Sequence, residues 1–230
     1  AKALASLGLP VAPVALDDTI LAGKRLLIIA EEAAKGLDLA AAARFAERGG
    51  RVLVLHQTAC DPFVPGQPEI DPHHAASFSW RQSGSPALAG IDDEQLRWWR
   101  PNHLVVTESM IRPSAGAAAP LAASGGRYGM HWSPMAEVRH GKGSVTFCQY
   151  LLADRVGIEP AAARILAQAV RAGVAADPVA PAPALQVVGA DKKTLDVLAA
   201  CHVQTAKEAA TTGPVLLDLA NAPDGATVAR

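Results

Sequence analysis

The stretch GKRLLIIAEEAAKGLDLAAAARFAERGGRVLVLHQ, residues 23–57, constrains the fold more than any other part of the chain. Residues 26–29 are a continuous apolar run, too short for a membrane span and the right length for a strand buried on both faces. Residues 37–48 carry Leu39, Ala42, Ala43 and Ala46 at helical spacing, with Asp38 early, Arg44 and Arg48 late, and Gly49-Gly50 as a stop signal. Residues 52–55 are a second buried strand. Two such strands joined by one helix predict a right-handed parallel crossover. In open sheets of this kind ligands sit beyond the carboxyl ends of the strands. Those ends are Ala30-Glu31-Glu32 and the run from His56 to Asp61, so chemistry is expected there.

The rest of the chain reads in the same terms. Residues 2–7 are the tail of a helix stopped by Gly8. Residues 11–14 are preceded by Pro10 and interrupted by Pro13, so they allow only a short or edge strand. Residues 17–22 form a helical turn. An α/β sheet normally opens with a strand before its first helix, and none precedes residue 26. Residues 76–82 read as a strand with Phe78 and Trp80 on one face, 92–99 as a short helix, 103–107 as a third apolar strand, and 114–119 as a small, flexible, exposed segment. Residues 128–132 and 135–139 read as strands. His140-Gly141-Lys142-Gly143 is a tight hairpin turn into a strand at 144–149. Glu159-Pro160 opens a helix that runs to about Arg171.

Residues 175–183 (AADPVAPAP) are a linker by composition. Beyond it, 185–188, 191–200 and 214–219 read as strand, helix and strand. This order repeats that of the amino-terminal part, and the tail is read as the start of a second, diverged copy of the same fold. A second reading has 185–188 supplying the missing first strand of the main sheet.

Composition excludes several classes. The 230 residues are 50% hydrophobic with a net charge of −1, so a sizeable core is available and neither nucleic acid nor an anionic membrane is indicated. No apolar run reaches the ~20 residues of a bilayer span. Cys60, Cys148 and Cys201 are widely spaced and form no CxxC, which argues against a disulfide framework and a structural zinc site. No secretory signal opens the sequence at Ala1. No initiator Met is present, as in a chain processed or cut from something longer.

The candidate site residues each carry a specific chemistry. Cys60 follows a parallel strand, where a nucleophile activated by His56, His73 or His74 could sit. Its context, Thr58-Ala59-Cys60-Asp61-Pro62, lacks the small flanking residues of a nucleophile elbow, and Asp61 opposes thiolate formation. His56, His73, His74 and His103 have no metal-ligand spacing, and no metal or other cofactor is expected. Glu31 and Glu32 form a carboxylate pair at a strand end, the residue type used in glycoside hydrolysis. Asp92-Asp93-Glu94 is explained by a helix dipole. Trp98, Trp99 and Trp132 are candidate sugar-stacking or interface groups, with at least one of Trp98 and Trp99 expected in the core.

Three stretches in this order carry a resemblance: LAGIDDEQLRWWRPNH (88–103), MAEVRHGKGSVTFCQY (135–150) and EPAAARILA (159–167). Preceded by GKRLLIIAEE and GGRVLVLHQ, they resemble the class I glutamine-amidotransferase-like domains found as accessory modules in large bacterial glycoside hydrolases. The trimerisation domain of some β-galactosidases is related in fold. The resemblance implies an α/β domain over residues 1–174 with an open, mostly parallel, flavodoxin-like sheet and helices on both faces. A linker at 175–183 and a partial second α/β unit at 184–230 complete the expected organisation. The amidotransferases add a Cys-His-Glu triad with the Cys in a glycine-flanked elbow, which neither Cys60 nor Cys148 has. The expectation is therefore a non-catalytic structural module whose partners are the other domains of a parent glycoside hydrolase. A homo-oligomer and a carbohydrate ligand are both compatible with it, and a periplasmic or secreted parent would carry its own signal peptide. The alternatives are an amidotransferase-like or hydrolytic enzyme using Cys60 with a histidine, and a sugar-binding module using the tryptophans.

Overall fold

The structure is a computed structural model that describes residues 2–9, 11–82, 84–114, 116, 118–126, 129–177, 185–200, 203, 205–206 and 215–217. The chain divides into two compact units, Ala1–Ser114 with Ala118–Val179 and Ala115–Ala117 with Ala180–Arg230. In the first, helices α1 (Lys2–Ser6) and α2 (Asp18–Leu21) lead into strand β1 (Leu26–Ile29), helix α3 (Ala40–Glu47) and strand β2 (Arg51–Val54). Short strands β3 (Ile70–Asp71), β4 (Trp80–Arg81) and β5 (Ser109–Ile111) follow, then long strands β6 (Ala118–Gly126) and β7 (Gly129–His140). Strand β8 (Gly143–Cys148) and helices α4 (Leu152–Arg155) and α5 (Pro160–Ala175) complete it.

The crossover read from residues 23–57 is present. β1 pairs parallel with β2, Leu26 opposite Arg51 through Ile29 opposite Val54. Alternation along β2 builds two cores. Val52 and Val54 join Phe45 of α3 on one face of the sheet, while Leu53 and Leu55 join Ile165 and Leu166 of α5 on the other. A strand buried on both faces must be apolar throughout. Each such side chain contributes about 1.5–3 kcal/mol of burial.

The sheet as a whole corrects the flavodoxin-like expectation. Its order is β1-β2-β8-β7-β5-β3, with β6 on β7 and β4 on β6, and it is mixed and strongly curled. Only β1, β2 and β8 run parallel; β8-β7, β7-β5, β7-β6, β5-β3 and β6-β4 are antiparallel. The physical reason lies in the connections. Parallel strands need a long crossover, whereas β7 and β8 are joined by the four-residue turn His140-Gly141-Lys142-Gly143 and must be antiparallel. The curl follows from β6, whose pairing with β7 shifts register between Pro120 and Ala122, between Ala122 and Ser124, and between Ser124 and Gly126. Bulges of this kind bend a strand and increase its twist.

Several local readings change accordingly. The strand expected at 76–82 contracts to β4, with Ala76 and Phe78 making isolated bridges to Val106 and Arg97. Phe78 and Trp80 do meet, edge to face at 4.8 Å. The helix expected at 92–99 is a 3-10 turn, Asp93–Leu96, with Asp92 and Gln95 capping each other. The strand expected at 103–107 is displaced to β5, because the backbone turns at His103 (φ +62). Part of the segment expected to be flexible, at 118–119, starts β6, and two expected strands merge into β7. Residues 11–14 form no strand.

The hairpin glycines are explained by contact. A Cβ on Gly141 would lie 2.4 Å from the Glu47 carbonyl, and one on Gly143 would lie 2.1 Å from that of Gly50. The turn sits against the end of α3, where Lys142 N–H donates to the Glu47 carbonyl at 3.0 Å. It therefore satisfies one of the orphan acceptors at a helix terminus.

In the second unit, strand β9 (Gln186–Val188), helix α6 (Lys192–Ala200) and strand β10 (Val215–Leu217) form one parallel pair, Gln186 opposite Val215. Within this unit β9 pairs with β10.

Candidate functional site

The carboxyl ends of β1, β2 and β8 converge on a polar cluster. β1 ends at Ile29, and the chain turns through Glu31 and Glu32, the latter with φ +55. Glu32 N–H donates to the His56 carbonyl at 3.0 Å. A left-handed glutamate carries strain, of order 1–3 kcal/mol. Here it turns the Glu32 carboxylate back to accept from Thr58 N–H at 2.8 Å and Thr58 Oγ1–H at 2.7 Å.

His56 follows β2 directly and lies between two carboxylates. Its Nδ1 is 3.3 Å from Glu32 Oε1, and its Nε2 is 2.7 Å from Glu108 Oε2 and 3.1 Å from Thr107 Oγ1. The His56 side chain is 11% exposed, that of Glu108 21% and that of Glu32 47%. The imidazolium form donates to both carboxylates at once; a neutral ring has one N–H to give.

Two glutamines lock the strand ends beneath. Gln57 Nε2 donates to the carbonyls of Ala30 and Leu55, and its Oε1 accepts from Ala34 N–H. Gln149, just past β8, accepts from Gln57 N–H at 3.0 Å and donates to the carbonyls of Gln57 and Glu108. Both glutamines are buried, and these bonds satisfy groups that would otherwise be costly to bury. Glu31 accepts from Ala153 N–H at the start of α4, at 2.8 Å. Burial pushes its carboxyl above the ordinary carboxylate range, with the neighbouring charges of Asp154 and Glu32 adding to the effect.

This arrangement positions; it offers little to a substrate. A general base needs a ring nitrogen free to face the proton it takes. Both nitrogens of His56 are engaged by protein groups.

The other sequence candidates lie elsewhere or are differently employed. Cys60 is half-buried, its thiol pushed up by burial, and its sulfur contacts the Asp61 carbonyl at 3.7 Å. No hydrogen bond joins it to His56, His73 or His74 among the described residues. Cys148 lies fully buried in β8 with its thiol pushed up to about 12 by desolvation. His74 stacks on Trp132 with ring centroids 3.6 Å apart and planes 3° from parallel. Trp132 Nε1–H and His73 N–H both donate to Asp71, holding its carboxyl below the usual range. Among the described residues no group of three or more His, Cys, Asp or Glu is arranged to hold a metal ion.

The tryptophan pair is split. Trp99 is 1% exposed, its Nε1–H donating to the Gln95 carbonyl and its ring beside Tyr150. Trp98 is 59% exposed, turned outward by a left-handed backbone (φ +49) whose N–H donates to the Ser77 carbonyl at 2.7 Å.

Sequence reasoning placed Glu31, Glu32 and His56 at the strand ends, and the structure puts Glu32 against His56. It placed Gln57 in the same strand-end run without a role, and it missed Glu108 and Gln149. Glu108 follows Val105-Val106-Thr107, an apolar run that marks a strand end, but its approach to His56 depends on the antiparallel half of the sheet.

No protein-family model matches the chain, and no curated protein matches its sequence. Among solved structures, the fold is similar to part of the cold-adapted β-galactosidase from Rahnella sp. R3, with a TM-score of 0.50 and 16% identity. The likeness covers 74% of this chain and 26% of that one. The chain thus spans about a quarter of the length of the protein it resembles. At that identity the likeness concerns the fold alone, and the amidotransferase-like class read from the sequence is not supported by it.

Proposed function

We propose that this chain is a non-catalytic structural and interaction module of a larger carbohydrate-active hydrolase. The observation that carries the reading is the one-sided coverage. Most of this chain matches about a quarter of a β-galactosidase, as a module of a multidomain glycoside hydrolase would. The chemistry of the strand ends agrees with it. Glu31, Glu32, His56 and Glu108 are all engaged in bonds that hold the ends of β1, β2 and β8, and among the described residues no histidine is hydrogen-bonded to Cys60, whose thiol contacts the Asp61 carbonyl. Fold likeness alone does not assign function, so the reading stands on both observations together.

The test is hydrolysis of a panel of aryl glycosides, and of glutamine, by the chain alone, beside His56→Ala and Cys60→Ala. No turnover is expected on any substrate. Turnover abolished by His56→Ala would make the Glu32–His56–Glu108 cluster an active site. Turnover abolished by Cys60→Ala would restore the nucleophile reading. Either result overturns the proposal.

A further inference from the structure

The four tryptophans divide by what covers their rings. Trp99 is buried, its ring beside Tyr150. Trp132 carries the His74 ring flat against one face and donates its Nε1–H to Asp71. Trp80 meets Phe78 edge to face at 4.8 Å and has the Arg97 guanidinium 6.0 Å from its ring centroid. Trp98 is 59% exposed, and among the described residues no aromatic ring, cation or hydrogen-bond acceptor engages its indole. Of the three tryptophans read from the sequence as stacking groups, it is the one with an open face.

The backbone beneath it is strained, with φ +49 at Trp98. The reversal has a local purpose. Arg97 bridges Phe78, Trp98 N–H donates to the Ser77 carbonyl at 2.7 Å, and the next residue, Trp99, enters the core. That accounts for the backbone and not for the side chain. Glycine or asparagine adopts this conformation with less strain, and a bulky residue there is an outlier. The indole does not offset the strain by burial. Strain of this kind clusters at functional positions. The loop that presents the ring is clamped on both sides. Trp99 Nε1–H donates to the Gln95 carbonyl at 2.7 Å, Arg100 donates to the Ile158 carbonyl, and Asn102 Oδ1 accepts from Leu104 N–H at 3.3 Å and from Arg155 at 3.1 Å.

We propose that Trp98 is a sugar-stacking platform, a non-catalytic site on which an uncharged oligosaccharide lays the C–H face of a pyranose ring against the indole. The choice of ligand class rests on the module reading above; the choice of residue does not. The surroundings favour a sugar over a protein partner. A protein hot spot lies at the centre of an apolar patch that excludes water. Here Arg100, Asn102 and His103 are exposed in the same loop. Of the large exposed apolar residues only Ile158 lies on a segment bonded to that loop among the described residues. A sugar ring offers C–H bonds on its face and hydroxyls at its rim, which suits an open aromatic face beside amide and guanidinium donors. The amide N–H groups of Asn102 have no acceptor among the described residues and remain for a hydroxyl. Acidic and basic side chains are interspersed on these segments, so no field selects a charged sugar.

Ligand-observed NMR tests the proposal, with saturation transferred from the full chain to cello-, xylo-, manno- and galacto-oligosaccharides. At least one series is expected to receive saturation on its ring C–H protons, with an affinity in the millimolar range of a single stacking contact. Trp98→Asn suits the left-handed backbone. It is expected to melt no lower than wild type and to weaken that binding by at least about tenfold. Trp98→Ala gives the same readout if the asparagine variant does not fold. No transfer from wild type to any series, or transfer that survives both substitutions, overturns the proposal and leaves the module reading standing. Turnover of a glycoside overturns the module reading instead, and transfer that depends on Trp98 upholds the platform in either case.

Discussion

Nε2 of His56 lies 2.7 Å from Oε2 of Glu108. His56 follows a parallel strand, and Glu108 precedes an antiparallel one. Their contact is where the two halves of the sheet are joined by side chains as well as by backbone. With Glu32 Oε1 3.3 Å from the other ring nitrogen, the His56 ring stands between two carboxylates.

Removing the imidazole is therefore expected to be costly. His56→Ala leaves Glu108 without its partner and is expected to destabilise the fold by about 2–3 kcal/mol. Urea denaturation at neutral pH measures this. His56→Gln, which keeps a donor, is expected to lose less.

Glu31 gives a pH dependence with a defined sign. Burial raises its carboxyl above the ordinary value of 4.5. The folded state then binds a proton more tightly than the unfolded one, so stability falls as pH rises from about 4.5 through the folded value. Glu31→Gln keeps an acceptor for Ala153 N–H and removes the buried charge. The variant is expected to be more stable than wild type at neutral pH, with the difference closing below that window. Thermal melts of the pair across pH 3.5 to 7 test it, those bounds being about one unit below and 2.5 above the ordinary value.

The tryptophan pair separates stability from surface. Trp99→Ala is expected to cost about 3–5 kcal/mol, the range for deleting a fully packed aromatic side chain. Trp98→Ala is expected to change stability by less than about 1 kcal/mol and to remove a solvent-exposed, red-shifted part of the emission. Fluorescence spectra with denaturation curves distinguish the two.

Gly143 reports on the docking of the β7–β8 turn against α3. Its Cβ would lie 2.1 Å from the Gly50 carbonyl and 2.4 Å from that of Ala46, both backbone atoms that cannot step aside. Gly143→Ala is expected to destabilise by at least about 2 kcal/mol. Gly157→Ala, where a Cβ meets nothing within 4 Å, serves as the control.

Thiol labelling orders two of the cysteines. Cys148 is fully buried with its thiol pushed up to about 12, and is expected to react only when the chain unfolds. Cys60 is half-buried with a raised thiol and is expected to label in the folded state, more slowly than an exposed cysteine. Peptide mapping after alkylation at pH 7.5–8.5, about the range in which a free thiol begins to ionise, gives the comparison. Fast labelling of Cys60 would indicate an activating base.

Local signals were legible wherever one stretch carries its own reason. The β1–α3–β2 crossover follows from two apolar runs and the helical spacing between them. The turn at Gly141 and the start of α5 at Pro160 follow from residues whose backbone preferences leave few alternatives. The split between Trp98 and Trp99 was half legible. Adjacent residues point apart, but which one enters the core depends on the turn of the backbone at Trp98.

By itself, then, the sequence determined the parallel half of the sheet, the hairpin, the main helices and the position of Glu31, Glu32 and His56 at strand ends. Periodicity, glycine and proline act over a few residues, and those elements need nothing more. The tertiary structure alone decided that the second half of the sheet is antiparallel and curled. It also decided that Glu108 and Gln149 close on His56 and Gln57. Those depend on register shifts in β6 and on which distant strands pair. Such pairings are set by the packing of the whole core, and no local run of residues records them.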